Sequence, residues 1–234
     1  VFHVKICGVT VPADARLAAD AGADAIGLNF VPGSPRCLDV ATARAVAAAV
    51  PEGVLTVGVF AGGTADFIRA VAREVGLAAV QLHGHLGGDG AGVDPPELCG
   101  ALSGLRVIRA VRLEPAAADP LSGARRWLAE AAALGWAPEL AIVDSAVPAA
   151  ARTGQLGGTG GRVDWTMLAG ARPLPVPIAL AGGLGPDNVA AAIAATGVRA
   201  VDTASGVESS PGRKDAARVR AFVAAARRAL GLAG

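Results

Sequence analysis

Cys7, Asp144, Arg36 and His83 are the side chains whose types and settings suit proton transfer and anion capture. Cys7 closes the run Phe2-His3-Val4-Lys5-Ile6-Cys7, in which β-branched residues alternate with polar or reactive ones until Gly8 breaks the pattern. α/β folds gather their chemistry at the carboxyl ends of strands, so a cysteine placed there is either a small core residue or a proton-transfer group. Asp144 follows the apolar run Leu140-Ala141-Ile142-Val143. It either caps the next loop or serves as a general acid, whose protonated form apolar surroundings favour. Arg36, in Gly33-Ser34-Pro35-Arg36, reads as solvated surface or as a two-pronged clamp on a carboxylate. His83, in Val80-Gln81-Leu82-His83-Gly84, either orients a substrate with a neutral ring or satisfies the core.

Two glycine-rich stretches suggest an anion of a different kind. They are Ala181-Gly182-Gly183-Leu184-Gly185-Pro186 and Asp202-Thr203-Ala204-Ser205-Gly206-Val207-Glu208. Without a Cβ, the backbone N–H groups of Gly182, Gly183 and Gly206 can close on phosphate oxygens, although tight turns use the same residues. After the seventh and eighth strands of a barrel, such loops commonly hold a phosphate.

The elements needed to position these groups recur eight times as strand, short loop and helix. Apolar strand candidates fall at 2–7, 24–29, 54–60, 78–82, 105–111, 140–144, 176–181 and 199–203. Helical stretches fall between and after them, at 12–21, 39–49, 64–75, 94–102, 118–134, 164–170, 186–195 and 213–230. Thr64-Ala65-Asp66 and Pro186-Asp187-Asn188 are helix starts, and Gly22, Gly76 and Gly197 are stops. Strict β-α alternation implies a parallel sheet, and eight units without a linker predict a single (β/α)8 TIM barrel with a parallel eight-stranded core over residues 1–234. A doubly wound open sheet usually carries G-x-G-x-x-G after its first strand, where this chain has only Gly8. Residues 83–93 and 145–163 are longer than the alternation needs, and the second, which holds Gly157-Gly158-Thr159-Gly160-Gly161, is expected to close over a substrate.

Composition narrows the function classes. Lys and Arg total 21 against 20 Asp and Glu, a net charge of +1 that argues against nucleic-acid partners and acidic membrane surfaces. The absence of tyrosine removes the stacking platforms of single-strand binders. No apolar run has membrane-spanning length and the first residues do not read as a secretion signal, so a soluble cytoplasmic protein is expected. Cys7, Cys37 and Cys99 form no C-x-x-C pair, and the pair His83 and His85 has no further ligand at metal spacing, so neither a metal nor a disulfide framework is expected.

Taken in order, several segments resemble phosphoribosylanthranilate isomerase. They are Lys5-Ile6-Cys7-Gly8, Ser34-Pro35-Arg36, Val57-Gly58-Val59-Phe60, Val80-Gln81-Leu82-His83-Gly84, Gly157-Gly158-Thr159-Gly160 with Asp164-Trp165, Leu180-Ala181-Gly182-Gly183-Leu184 and Ser205-Gly206-Val207-Glu208. The resemblance runs from residue 4 to about residue 226. It implies a cofactor-free Amadori rearrangement of N-(5-phosphoribosyl)anthranilate in tryptophan biosynthesis. It also implies Cys7 as general base, Asp144 as general acid and Arg36 on the anthranilate carboxylate. The phosphate would lie at Gly182-Gly183 and Ser205-Gly206, with His83 and Asp202 also lining the substrate. Ala204 departs from the serine or asparagine usual in that family, and Cys37 from a bulkier residue.

Two other readings remain on sequence grounds. An indole-3-glycerol-phosphate synthase-like lyase would rely on catalytic lysines, and the lysines here are Lys5 and Lys214. Lys5 shares inward parity with Cys7 and is expected to pair with a buried acid such as Asp202. A non-catalytic phosphosugar-binding barrel would not need the acid and base. The expected ligand is a phosphorylated small molecule, and the assembly a monomer or homodimer.

Overall fold

The computed structural model describes residues 2–84, 94–114, 117–144 and 165–232. Its strands are β1 (Val4–Ile6), β2 (Ala25–Asn29), β3 (Leu55–Phe60), β4 (Ala79–Leu82), β5 (Arg106–Arg112), β6 (Leu140–Asp144), β7 (Ile178–Ala181) and β8 (Val201–Thr203). They pair in sequence order, and β8 returns to β1 to close the barrel. All of these pairings are parallel, and the closing register sets Lys5 opposite Asp202.

Both faces of the strands are buried, which is why they read as apolar runs rather than as alternating ones. Outward-facing Val4, Ile6, Ile26, Leu28, Val80, Leu82, Ala141 and Val143 pack in the core shared with the helices. A smaller interior cluster holds Phe2, Ala25, Val57, Ala79, Ile108, Leu140, Ile142 and Ala179. Alanines alternate with bulkier side chains in that interior, and strand parity also sends charged groups inward.

The helices are α1 (Pro12–Asp20), α2 (Val40–Ala47), α3 (Ala65–Val75), α4 (Glu97–Ala101), α5 (Ser122–Ala133), α6 (Thr166–Ala169), α7 (Val189–Thr196) and α8 (Ala216–Ala229). Thr64 caps α3 by accepting the Phe67 N–H at 3.3 Å, and Gly76 and Gly197 end α3 and α7 in left-handed conformation. Gly22 is also left-handed, two residues beyond α1.

Two local differences from the sequence reading have physical causes. The helix expected over 94–102 begins only at Glu97, because Asp94 takes φ +69° and Pro95-Pro96 follow it. The helix expected over 213–230 begins at Ala216, since Arg213–Lys214 forms β10, antiparallel to β9 (Glu208–Ser210). The long segments expected over 83–93 and 145–163 lie outside the described residues, apart from His83 and Gly84.

Candidate active site

Cys7 follows β1 directly, its N–H donating to the Thr203 carbonyl at 2.7 Å, which extends the β1–β8 pairing by one residue. Alternation sends Val4 and Ile6 outward, and Lys5 and Cys7 inward. Facing them on β2 is Gly27, where a Cβ would stand 2.6 Å from the Cys7 Sγ. A residue with no side chain is what lets the sulfur sit against the neighbouring strand.

Below Cys7, Lys5 is fully buried, and its Nζ donates to Asp202 Oδ1 at 2.9 Å. Burial opposes the Lys5 charge, yet the Asp202 carboxylate and the Cys7 sulfur outweigh it and hold the ammonium above its ordinary range. Burial also pushes the Asp202 carboxyl up, against the pull of Lys5, and the charge of Asp144 adds to that push. Asp144 closes β6 with the inward parity of Leu140 and Ile142 and is buried. Base and acid candidates thus face inward from β1 and β6, and Lys5 and Asp202 lie between them.

Arg36 is not the solvated side chain that its loop position permits. It is buried, donating from Nε to Glu208 Oε1 at 2.8 Å and from Nη2 to Glu208 Oε2 at 2.5 Å. Glu208 Oε1 also accepts from Lys214 Nζ at 2.8 Å, and the same ammonium donates to the carbonyls of Cys7 at 2.7 Å and Ala204 at 3.1 Å. One carboxylate therefore fixes the arginine, and one lysine ties that carboxylate to the strand end bearing Cys7. Donating to the Glu208 carboxylate raises the Arg36 affinity for its proton, against the opposing effect of burial. Burial works against the Glu208 charge, but hydrogen bonds from Arg36 and Lys214 outweigh it and hold the carboxyl below its ordinary value. Burial pulls Lys214 below its ordinary range, leaving Lys5 the firmer ammonium. Glu208 and Lys214 were missed as functional residues. The available signal was the need of any buried arginine for a counter-charge.

The two glycine loops come together. Thr203 Oγ1 donates to the Leu184 carbonyl at 2.6 Å, and the Gly206 Cα lies so close to that oxygen that a Cβ would overlap it. Asn188 braces the first loop, accepting from the Gly185 N–H at 2.8 Å and donating to the Gly183 carbonyl at 2.9 Å. Gly182 and Gly183 both take positive φ, +89° and +63°. Ser205 and Gly206 begin a short 3-10 turn through Val207. His83 stands just beyond β4, its Nδ1 3.2 Å from Gln81 Nε2. Asp94 fixes that strand end by accepting the N–H groups of Gly84 at 2.6 Å and Gly62 at 3.0 Å. Arg109 donates to the Gly84 carbonyl at 2.7 Å from the outer side. The structure thus brings Cys7, Arg36, Asp144 and Asp202 to one connected charge system, with the glycine loops at its β7–β8 edge. Among the described residues, no group of three His, Cys, Asp or Glu side chains could hold a metal ion.

A parallel barrel with an inward cysteine and aspartate at the same strand ends, a buried arginine and paired glycine loops after its seventh and eighth strands defines the class of (β/α)8 barrels laid out for a phosphorylated ligand. The profile of the family described as PRAI, N-(5'phosphoribosyl)anthranilate (PRA) isomerase, matches residues 4–225, and the chain belongs to this family. It is 43% identical over 225 residues to the N-(5'-phosphoribosyl)anthranilate isomerase of Myxococcus xanthus, covering 96% of each chain. A crystal structure of phosphoribosyl anthranilate isomerase in complex with reduced 1-(o-carboxyphenylamino)-1-deoxyribulose 5-phosphate superposes with a TM-score of 0.72 at 31% identity, covering 99% of this chain and 100% of that one. Monomers generated from the dimeric isomerase of Thermotoga maritima give 0.71 at 30% identity, covering 97% and 100%.

Two variants test this geometry. Gly27→Ala should displace the Cys7 sulfur, lower kcat by about tenfold or more and cost roughly 1–3 kcal/mol of stability by overpacking, read by turnover and urea titration; unchanged kcat would show that the close approach is unimportant. Glu208→Gln should destabilise the fold by roughly 3–5 kcal/mol, the cost of leaving buried charge uncompensated. Because the folded Glu208 carboxyl lies below its ordinary 4.5, its contribution is fully present above that pH and is lost as pH falls through the folded value. Urea titrations should therefore show wild-type stability falling more steeply in acid than that of Glu208→Gln.

Proposed function

We propose that Cys7 is the general base and Asp144 the general acid in the isomerisation of N-(5-phosphoribosyl)anthranilate to 1-(2-carboxyphenylamino)-1-deoxyribulose 5-phosphate. The chain is an isomerase of tryptophan biosynthesis, as its family and its relatives are. The observation that carries the residue assignment is the inward placement of both groups at one end of the barrel, from β1 and β6.

Opening of the furanose needs a proton on the ring oxygen, which Asp144 supplies as the C1–oxygen bond breaks and an iminium forms. The iminium acidifies the C2 hydrogen, Cys7 takes it as a proton, and the resulting enolamine gains a proton at C1 while its C2 hydroxyl gives one up to form the ketone, a release that balances the proton Asp144 gave to the ring oxygen. One proton leaves carbon and one returns to carbon, so the balance needs no redox partner. Arg36 grips the anthranilate carboxylate; with Glu208 on its Nε–Nη2 edge, the ligand meets the Nη1 side. Backbone amides at Gly182, Gly183, Ser205 and Gly206 hold the phosphate, His83 orients the substrate, and Asp202 lines the floor beneath the sugar. The setting is cytoplasmic and the assembly a monomer or homodimer, the latter supported by a dimeric relative.

The enzyme is tested by the fluorescence of its anthranilate-bearing substrate, which should change on turnover and persist on simple binding. Cys7→Ala should cost ~10²–10⁴ in rate, the usual loss of a general base, with the fold intact by circular dichroism. Retention of more than a tenth of kcat would make Cys7 a packing residue. Asp144→Asn keeps the shape but cannot deliver a proton, so near-normal turnover would assign ring opening to another group. Arg36→Met should raise KM far more than it lowers kcat, since a clamp grips substrate and transition state alike.

A further inference from the structure

Arg109 takes no part in the chemistry just described, yet it is a buried arginine. Its β5 neighbour Ile108 lies in the interior cluster, while Val107 and Val111 pack toward the helices, so parity sends Arg109 outward, away from the substrate side. There its guanidinium lies 4.8 Å from the centre of the Trp127 ring on α5. Nη1 donates to the Leu82 carbonyl at 3.2 Å and Nη2 to the Gly84 carbonyl at 2.7 Å. Asp94 completes the group, its Oδ2 standing 3.5 Å from Arg109 Nη1. That oxygen accepts the Gly84 N–H at 2.6 Å, and Oδ1 accepts the Gly62 N–H at 3.0 Å. The Asp94 carbonyl in turn accepts from Trp127 Nε1 at 3.1 Å.

These bonds converge on His83. The peptide unit before its Cα is anchored at both polar atoms, the Leu82 carbonyl by Arg109 and the His83 N–H by the Phe60 carbonyl at 2.7 Å. The peptide unit after it is anchored through the Gly84 N–H on Asp94. Because peptide units are planar, holding the two that flank a Cα fixes its φ and ψ, and with them the direction of its side chain. His83 continues the inward parity of Ala79 and Gln81, so that direction is into the barrel, where its Nδ1 meets Gln81 Nε2 at 3.2 Å.

Packing alone does not call for this group. Burial lowers the Arg109 affinity for its proton, against the pull of Asp94, and its Nε has no partner among the described residues. Asp94 takes a left-handed backbone at φ +69°, uncommon for a residue with a side chain. Apolar side chains of similar volume would fill the space between sheet and helices as well. They could not hold the backbone of residues 82–84 by directed hydrogen bonds.

We propose that Arg109 and Asp94 are positioning residues that clamp the peptides flanking His83 from outside the barrel and so fix its ring on the substrate side. The proposal rests on the reading of His83 as the residue that orients the substrate, and it supplies the means by which that ring is aimed.

Two readouts separate this role from general stability. In enzyme labelled with 15N-histidine, the ring signals of His83 are assigned by their loss in His83→Ala. They should move in Arg109→Lys and in Asp94→Asn, while those of His3, at the opposite end of the barrel, stay in place. In turnover, each variant should lower kcat/KM by about tenfold, and by less than about twofold once His83 is already alanine, because coupled residues are not additive. Trp127→Phe keeps an aromatic ring and removes only the N–H on the Asp94 carbonyl. It should move the same His83 signals by a smaller amount, and it serves as the test if the charge variants fail to fold. Unmoved His83 signals in the folded variants, or an undiminished tenfold loss in the His83→Ala background, would overturn the proposal. Normal turnover by His83→Ala would instead fail the reading of His83 as a substrate-orienting residue, and the ring signals would still decide the clamp.

Discussion

The ion pair between Lys5 and Asp202 joins the first strand of the barrel to the last, inside an interior whose apolar cluster holds Phe2, Ala25, Val57, Ile108, Leu140 and Ile142. Its members are fully or almost fully buried, so neither can be removed without leaving a charge in low dielectric, a loss of roughly 3–5 kcal/mol in comparable pairs. Strand closure alone would be served as well by two apolar residues of similar volume. The charged pair adds a fixed electrostatic floor at the level where the strand ends deliver Cys7 and Asp144. Beside it, Ala25 is the register partner of Lys5 on β2, and Gly27 leaves room for the Cys7 sulfur.

A second charged system stands at the rim and depends on the first through Cys7. Glu208 holds Arg36 by two hydrogen bonds, and Lys214 links Glu208 to the carbonyls of Cys7 and Ala204. Three segments that carry chemistry are thereby locked together: the end of β1, the loop after β2 and the turn after β8. The arginine is held in one orientation, so a ligand carboxylate at the site proposed for it would not need to order a long flexible side chain. Because the lysine binds the backbone of Cys7, changes at the rim reach this cysteine through position as well as through charge.

The barrel was legible because its strands, buried on both faces, leave apolar runs at regular spacing, and Gly76 and Gly197 end helices where glycine tolerates left-handed backbone. The strand-end placement of Cys7 and Asp144 was legible from the apolar runs that precede them, and the partnership of Lys5 with Asp202 from inward parity. The partner of Arg36 was not, since Glu208 is 172 residues away and no local pattern encodes that pairing. The β9–β10 hairpin was also hidden, being short, polar and largely exposed. The helical stretch expected over 94–102 started too early for a different reason: the Asp94 carboxylate holds Gly62 and Gly84, and its backbone turns left-handed before the helix begins.

The central claim is that the sulfur of Cys7 removes the C2 proton after Asp144 has opened the ring. Turnover of substrate deuterated at C2 by Cys7→Ser addresses it most directly, because serine keeps the shape and replaces the thiol with a far poorer base. The account predicts a kcat lowered by ~10²–10⁴ together with a primary deuterium isotope effect, as carbon–hydrogen cleavage becomes the slow step. Near-normal turnover of the deuterated substrate, with no isotope effect, would contradict it.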